Sequence, residues 1–284
     1  LDERLRASPV THRDPSALVD VHNHLVPGVD DGARDLTAVL GSVERMTRLG
    51  IRRIITTPHI EGSLSLDAAR LENRLSAVSA AFERAAAAIH ESFPEVEFRR
   101  GHEVALDVPE MDFSDPRIRM AGTSFVLVEW SRLQLPPGSA RALARIRENG
   151  YRPIVAHPER YQGMSQALGV AGQWRDAGAY LQVNYGSIVG RYGAEAQSTA
   201  LRLLRRGWVD YLASDFHGHA SLKVYKEEAW AALEAIGASD VLHCLCRTNP
   251  GRILSDEPPL PVPILPTDRR LWARVKEILQ RSRA

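Results

Sequence analysis

Imidazoles and carboxylates collect at six places in the chain, each at the end of a short apolar run. The first is Asp20-Val21-His22-Asn23-His24, followed by Asp30-Asp31-Gly32. Residues two apart on an extended strand face the same side, so Asp20, His22 and His24 can point into one cavity. Two imidazoles on one face beside a carboxylate make half of a divalent-metal site; the plain alternative is two surface histidines at a strand end. The second place is Thr57-Pro58-His59, where a lone histidine reads as readily as a polar loop residue. The third is Gly101-His102-Glu103. Neighbours on a strand face opposite sides, so only one of His102 and Glu103 belongs to a common site. Glu103 is the candidate, because the preceding glycine permits close approach, and His102 reads as structural. The fourth is Glu129, closing Leu127-Val128-Glu129-Trp130, where a buried charge is costly without a cation. His157 follows Ile154-Val155-Ala156 and precedes Arg160 by three residues; Asp215 and His217 stand at same-face spacing after Tyr211-Leu212-Ala213. One such site can arise by accident, but six at strand ends point to metal chemistry.

The elements that must hold these groups are legible as a pattern. Seven apolar runs, at 18–21, 53–56, 97–101, 125–129, 153–156, 180–183 and 211–213, read as strands buried on both faces of a parallel sheet. Between them run amphipathic helices. Leu71, Leu75, Val78, Phe82, Ala85 and Ile89 mark one helical face. Asp35 can cap a helix carrying Leu36, Leu40 and Val43 that ends near Gly50, and Asn149-Gly150 and Arg206-Gly207 close two others. Sevenfold alternation of strand and helix predicts a single α/β barrel rather than two domains.

Composition sets the outer bounds. The 284 residues are 44% hydrophobic and 25% charged, which excludes a wholly disordered chain, and no uncharged apolar run approaches the ~18 residues of a spanning helix. Net charge is +1, so no overall field attracts nucleic acid or an anionic membrane. Cys244 and Cys246 cannot form a disulfide framework, and residues 1–14 show no apolar signal segment; the cytoplasm is the expected compartment. Residues 1–17 read as a polar arm. Five prolines fall within 258–266, an extended stretch that excludes helix or central strand, and Leu271, Val275, Ile278 and Leu279 mark a short basic helix after it. That tail reads as a strap and helix packed on the barrel, with partner docking as the alternative.

The motifs HNHLVPGVDDGARD, ITTPHI, GHEV, LVEWS, IVAHPERY and ASDFH resemble the polymerase and histidinol phosphatase (PHP) superfamily over roughly residues 18–254. DDGA together with HPERY resembles its branch of manganese-dependent bacterial protein tyrosine phosphatases of capsule and exopolysaccharide operons. The resemblance implies a distorted seven-stranded β/α barrel of the TIM-like kind. It implies three divalent metals per chain, held by His22, His24, Asp31, His59, Glu103, Glu129, His157, Asp215 and His217. This nitrogen and oxygen donor set suits manganese, iron or zinc. Asp20 would orient a histidine from behind, and Asp30 would shape the turn. Arg160 matches an arginine that holds the substrate phosphate, and either His217 or a water would protonate the leaving group. The implied substrate is a phosphotyrosyl protein, namely a bacterial tyrosine kinase. The branch often carries a second arginine after the final Asp-x-His, where this chain has only His219 and Lys223 to offer positive charge.

Other readings stay open at this point. One is a small-molecule phosphatase such as a histidinol phosphatase; another is a barrel with a degenerate site that serves as a non-catalytic binding module. Cys246 to Arg252 also matches the C-x5-R pattern of cysteine-dependent phosphatases. That chemistry needs a thiolate at the base of a phosphate loop. Here the cysteine ends an apolar helical stretch and Asn249-Pro250-Gly251 reads as an ordinary turn.

Overall fold

A computed structural model of the protein describes residues 17–265 together with 270, 272, 273, 275, 277 and 278. The expected arm, apart from Ala17, lies outside the described residues, as do Leu271 and Leu279 of the C-terminal stripe. Nine parallel strands lie among the described residues. In chain order they are β1 (Leu18–Asp20), β2 (Ile51–Thr56), β3 (His59–Glu61), β4 (Glu97–Arg100), β5 (Glu103–Ala105), β6 (Phe125–Glu129), β7 (Arg152–Ala156), β8 (Tyr180–Asn184) and β9 (Tyr211–Ala213). They form two ladders, β1-β2-β4 and β3-β5-β6-β7-β8-β9.

The expectation of seven strands is therefore corrected, and the surplus has a local cause. The second run, 53–56, lies within β2, and past a break at Pro58, which has no N–H to give a ladder, the chain forms the unexpected β3. The third run, 97–101, is β4 and Gly101, and past a break at Gly101, where a Cβ would sit 2.8 Å from Met120 Cα, the chain forms the unexpected β5. That contact also corrects the reason given for Gly101, whose bare backbone admits Met120 rather than a ligand. At each break the chain leaves one ladder and joins the other. The ladders do not close into a barrel: between β9 and the first segment there is a single parallel bridge, Asn23 to Phe216. Two backbone bonds support it, Asp215 N–H to His22 O at 2.8 Å and His24 N–H to Phe216 O at 2.9 Å.

Helices α1 (Leu36–Arg48), α2 (Ala68–Ser92), α3 (Ser139–Glu148), α4 (Gly169–Asp176), α5 (Tyr185–Ile188), α6 (Gly193–Arg205) and α7 (Lys226–Glu234) alternate with the strands. Asp35 caps α1 as expected, accepting from the Ala38 N–H at 2.8 Å. The α2 stripe buries Leu75, Val78, Phe82, Ala85 and Ile89. Strand alternation then decides what lies beneath the site. Phe125 and Leu127 of β6 face inward with Val19, Ile55, Ile154, Ala156, Tyr211 and Ala213, while Val126 and Val128 face the helices. Each large apolar side chain so buried contributes about 1.5–3 kcal/mol, which makes this inner cluster a firm floor. Glu129 is the next inward position of β6, and there the apolar floor gives way to charge.

No helix of the described residues is long and apolar enough to cross a membrane. Past the last strand, residues 258–265 carry neither helix nor strand. Asn249 fastens this stretch through both faces of Leu260, accepting its N–H at 2.8 Å and donating to its carbonyl at 3.1 Å. Beyond it, Trp272 and Val275 are buried in the main core.

Candidate metal centre

All nine residues implied as ligands come together at one side of the sheets, most just past the C-terminal ends of strands, with His59 and Glu103 opening β3 and β5. Their donor atoms form four overlapping constellations, each with all atoms within 4.8 Å of one another. These are His24, Asp31, His59 and His217; His22, His24 and Glu103; His22, His157 and Asp215; and His59, Glu103 and Glu129. Glu103 lies at the centre, with Oε2 3.1 Å from His22 Nε2, 3.4 Å from His24 Nε2 and 3.2 Å from His59 Nδ1, and Oε1 2.9 Å from His157 Nε2. His22, His24, Glu103, His157 and Asp215 are buried. Asp31, 69% exposed, and His59, 38% exposed, form the open side.

The outer nitrogens show how the imidazoles are held. His22 Nδ1–H donates to Gln182 Oε1 and His24 Nδ1–H to Asp30 Oδ2, both at 2.8 Å, and His217 Nδ1–H donates to the Asp215 carbonyl at 3.0 Å. With Nδ1 protonated, each Nε2 lone pair is directed inward, the tautomer a metal ligand needs. Asp30 thus does more than shape the turn, although it also accepts from the N–H groups of Gly32 and His59. Gly32 is required there, since a Cβ would lie 2.2 Å from the His24 carbonyl oxygen.

Asp20 does not orient a histidine. It accepts from the backbone N–H and hydroxyl of Ser214 and so anchors the segment that carries Asp215. Burial is complete at that carboxyl and pushes it up to about 6 despite the Ser214 bonds. His102 is structural, as expected, with Nδ1 donating to the Arg117 carbonyl at 3.0 Å.

The sixth apolar run carries what the sequence reading missed. Gln182 Nε2 donates to Asn184 Oδ1, and Asn184 Nδ2 donates to Asp215 Oδ2, each at 2.8 Å. A buried relay thereby links His22 to Asp215. Two polar residues at same-face spacing closing an apolar run were the available signal, the same one that marks Asp20-Val21-His22. Tyr161 of HPERY also acts at a distance: its hydroxyl accepts the Trp130 N–H at 2.9 Å and braces the end of β6 beside Glu129. Arg74 of α2 donates to the Val29 and His59 carbonyls at 2.8 Å, joining two loops of the site. No sequence pattern announces either contact.

Two candidate ligands sit in left-handed backbone, His157 at φ 35° and Asp215 at φ 50°. Such conformations cost roughly 1–3 kcal/mol for residues with a Cβ, and they persist where the surroundings over-determine them. Here they turn the chain just past the ends of β7 and β9.

The electrostatics call for cations. Burial alone would raise Glu103 and Asp215, but the facing imidazoles hold both carboxyls well below their ordinary range. Glu129 is pushed up to about 8 by burial and then by the Glu103 charge. Burial works against the charged form of His22, yet Glu103 and Asp215 outweigh it and lift the imidazole to about 9. The cluster therefore holds protons between its carboxylates. His22 Nε2, His24 Nε2 and Glu103 Oε2 are nonetheless buried without a hydrogen bond. Convergent orphaned donors with surplus negative charge fit divalent metal ions, for which these residues are the natural ligands.

Arg160 stands at the rim, its Nη1 2.6 Å from Asp215 Oδ2. Lys223 is not brought to the cluster: its ammonium is 3.5 Å from Glu228 Oε1 of α7, on a side chain 70% exposed. His219, the other residue considered for the second phosphate cation, donates from Nε2 to the Asp31 carbonyl at 3.1 Å.

The C-x5-R segment is not a phosphate loop. Asn249-Pro250-Gly251 opens a short helix (Asn249–Ile253) rather than the turn expected, because proline is well tolerated in a first helical turn. Cys246 is buried, its thiol pushed up to about 12 by burial, and Arg252 pairs with Glu257 at 2.9 Å.

Parallel strands and helices, with a histidine and carboxylate cluster gathered at the strand ends, define an α/β protein built around a candidate metal centre. The chain belongs to the CpsB/CapC family of capsular polysaccharide synthesis, whose model matches residues 18–255. The motif resemblance is borne out at that level. Among relatives, tyrosine-protein phosphatase YwqE of Bacillus subtilis (strain 168) is 26% identical over 250 residues, covering 86% of this chain and 96% of the relative. Tyrosine-protein phosphatase CpsB of Streptococcus pneumoniae is 23% identical over 247 residues, covering 84% and 99%. A solved structure described as one of YwqE from Bacillus subtilis and CpsB from Streptococcus pneumoniae, "unique metal-dependent tyrosine phosphatases", shares the fold. Its TM-score is 0.74 at 24% identity, over 88% of this chain and 100% of that one.

Proposed function

We propose that the protein is a metal-dependent protein-tyrosine-phosphatase acting on the phosphotyrosine of a bacterial tyrosine kinase in capsule or exopolysaccharide synthesis. The observation that carries this reading is the convergence of nine imidazole and carboxylate donors beside one rim arginine. Membership of the CpsB/CapC family and the names of the relatives support it. The nine strands are read as seven segments of a distorted barrel of PHP type, and residues from 255 onward as a strap and helix laid against it. Three divalent ions are proposed, manganese first by the family resemblance, since an N/O donor set without thiolate suits manganese, iron and zinc alike. The cytoplasm is the proposed compartment.

Bound ions of this kind activate water at neutral pH and neutralise phosphoryl oxygens. The chain supplies the rest. Arg160 offers a planar fork of donors to the phosphate, and those bonds strengthen as charge moves onto the equatorial oxygens. The leaving group would take its proton from water, because His217 commits its Nδ1–H to the Asp215 carbonyl and turns Nε2 to the centre as a ligand. A phenol leaves with a pKa near 10 and so needs less protonation than an alkyl alcohol. The exposed flank at Asp31 and His59 suits a side chain presented on a protein surface, whereas a small amine substrate would need an enclosed pocket.

The test is hydrolysis by metal-loaded protein of phosphotyrosyl peptide, phosphoseryl peptide and histidinol phosphate in parallel. The phosphotyrosyl peptide should give the highest kcat/KM. A higher value for histidinol phosphate would overturn the reading.

A further inference from the structure

Tyr192 stands beside the candidate centre with no role yet given to it. It lies in the short connection between α5 and α6, and 37% of it is exposed. Its ring centroid is 4.2 Å from Arg160 Cζ, so the guanidinium lies over the ring. The ring itself has little freedom. A Cβ built on Gly186 would approach Tyr192 Cε2 to 3.1 Å, which places α5 backbone directly against it.

Arg160 is consequently held in two ways. The 2.6 Å ion pair to Asp215 Oδ2 fixes one nitrogen. An ion pair alone leaves the guanidinium plane free to turn about that contact, whereas an aromatic ring beneath the cation also favours one site for it. We propose that Tyr192 is a positioning residue, which holds Arg160 so that the donors not used by Asp215 are presented, already ordered, to the substrate phosphate. An arginine ordered in advance loses less freedom when phosphate binds, so the ring improves phosphate affinity without touching phosphate. This inference rests on the proposed phosphate-binding role of Arg160, but not on the identity of the alcohol or phenol that carries the phosphate.

The experiment is calorimetric titration of inorganic phosphate into the metal-loaded protein, with metal content and Tm recorded for every variant. Tyr192→Leu should weaken phosphate binding roughly 3- to 10-fold, the range of a partly exposed cation–π contact. Tyr192→Phe should rescue binding to within about twofold, because the ring face rather than the hydroxyl does the holding. Should the leucine variant lose metal or melt early, Tyr192→Met takes its place, keeping bulk without a ring. In an Arg160→Ala background the same substitution should have no further effect, since the ring acts through Arg160. A leucine variant that binds phosphate as wild type does, a phenylalanine variant as weak as leucine, or an equal loss without Arg160 would each overturn the inference. Arg160→Ala binding phosphate as tightly as wild type would sink the role of Arg160 and this inference together. Failure to cleave phosphotyrosine, with the phosphate cycle intact, would sink only the proposed substrate.

Discussion

At the strand ends, nine imidazoles and carboxylates from distant parts of the chain gather into four overlapping groups, the donor atoms of each group lying within 4.8 Å of one another. In the segment from Cys246 to Arg252, two groups close in sequence bind different partners instead: the thiol lies beside Tyr185, and the guanidinium pairs with Glu257. Both regions carry spacing that matches a phosphatase signature. They differ in what burial does to the reactive atoms. Around Glu103, burial gathers charges of both signs, so that donors stay charged or poised to lose a proton. Around Cys246 it offers no cation to the sulfur, and a thiol at about 12 supplies almost no thiolate at neutral pH. Spacing proposes chemistry; convergence of desolvated, oppositely charged atoms makes it available.

The largest expected effect breaks the mouth directly. His157→Ala or Asp215→Ala should lower phosphotyrosyl hydrolysis more than about a hundredfold, beyond the 10–100-fold typical of residues that act from behind a ligand. A folded variant of either kind with near-normal activity would remove the mouth from consideration. Gln182→Leu tests the relay that only the fold reveals. It frees His22 Nδ1 and should weaken metal affinity by about 10–100-fold, read by competition with a chelator; unchanged affinity would show that the relay is mere packing.

The charge balance of the mouth makes a pH prediction with a definite sign. His22 at about 9 and Glu129 at about 8 carry protons at neutral pH in the metal-free cluster. Metal must displace them, so affinity should rise with pH toward 8–9, by up to about tenfold per unit for each proton released, and fall as pH drops. Manganese affinity that stays flat from pH 6.5 to 8.5 in calorimetry would contradict this account. Arg160→Lys keeps the charge and loses the fork, and should cost about tenfold in kcat/KM; parity with wild type would reduce Arg160 to a point charge. The smallest effect belongs to the other region. Cys246→Ser should leave activity within about twofold, with at most about 1 kcal/mol of stability lost at a buried site. Abolished activity in a folded serine variant would reverse the comparison.

Much of the mouth was legible before any fold was known, because metal ligands are few in kind and strands have a period of two. Asp20-Val21-His22, Glu129 and Asp215-Phe216-His217 all announce themselves by that rule, and the resemblance to a known family added Asp31. The same rule applied to Gln182-Val183-Asn184 would have found the relay. It was passed over because neutral amides do not read as chemistry until something charged is seen beside them. Asp20 shows the opposite error: the correct face of the right strand, but with Ser214 as its partner rather than a histidine.

The sequence by itself determined the alternation of strand and helix, the donor types at the strand ends and the family. Side-chain periodicity and residue chemistry are local properties, and they survive without coordinates. Tertiary structure alone decided that β3 and β5 would form beyond two of the runs, that Glu103 would sit at the centre of the cluster, that Lys223 would pair with Glu228, and that Tyr192 would lie against Arg160. Each of these depends on which distant segments pack together, and contacts between segments tens or hundreds of residues apart leave no periodic trace in the chain.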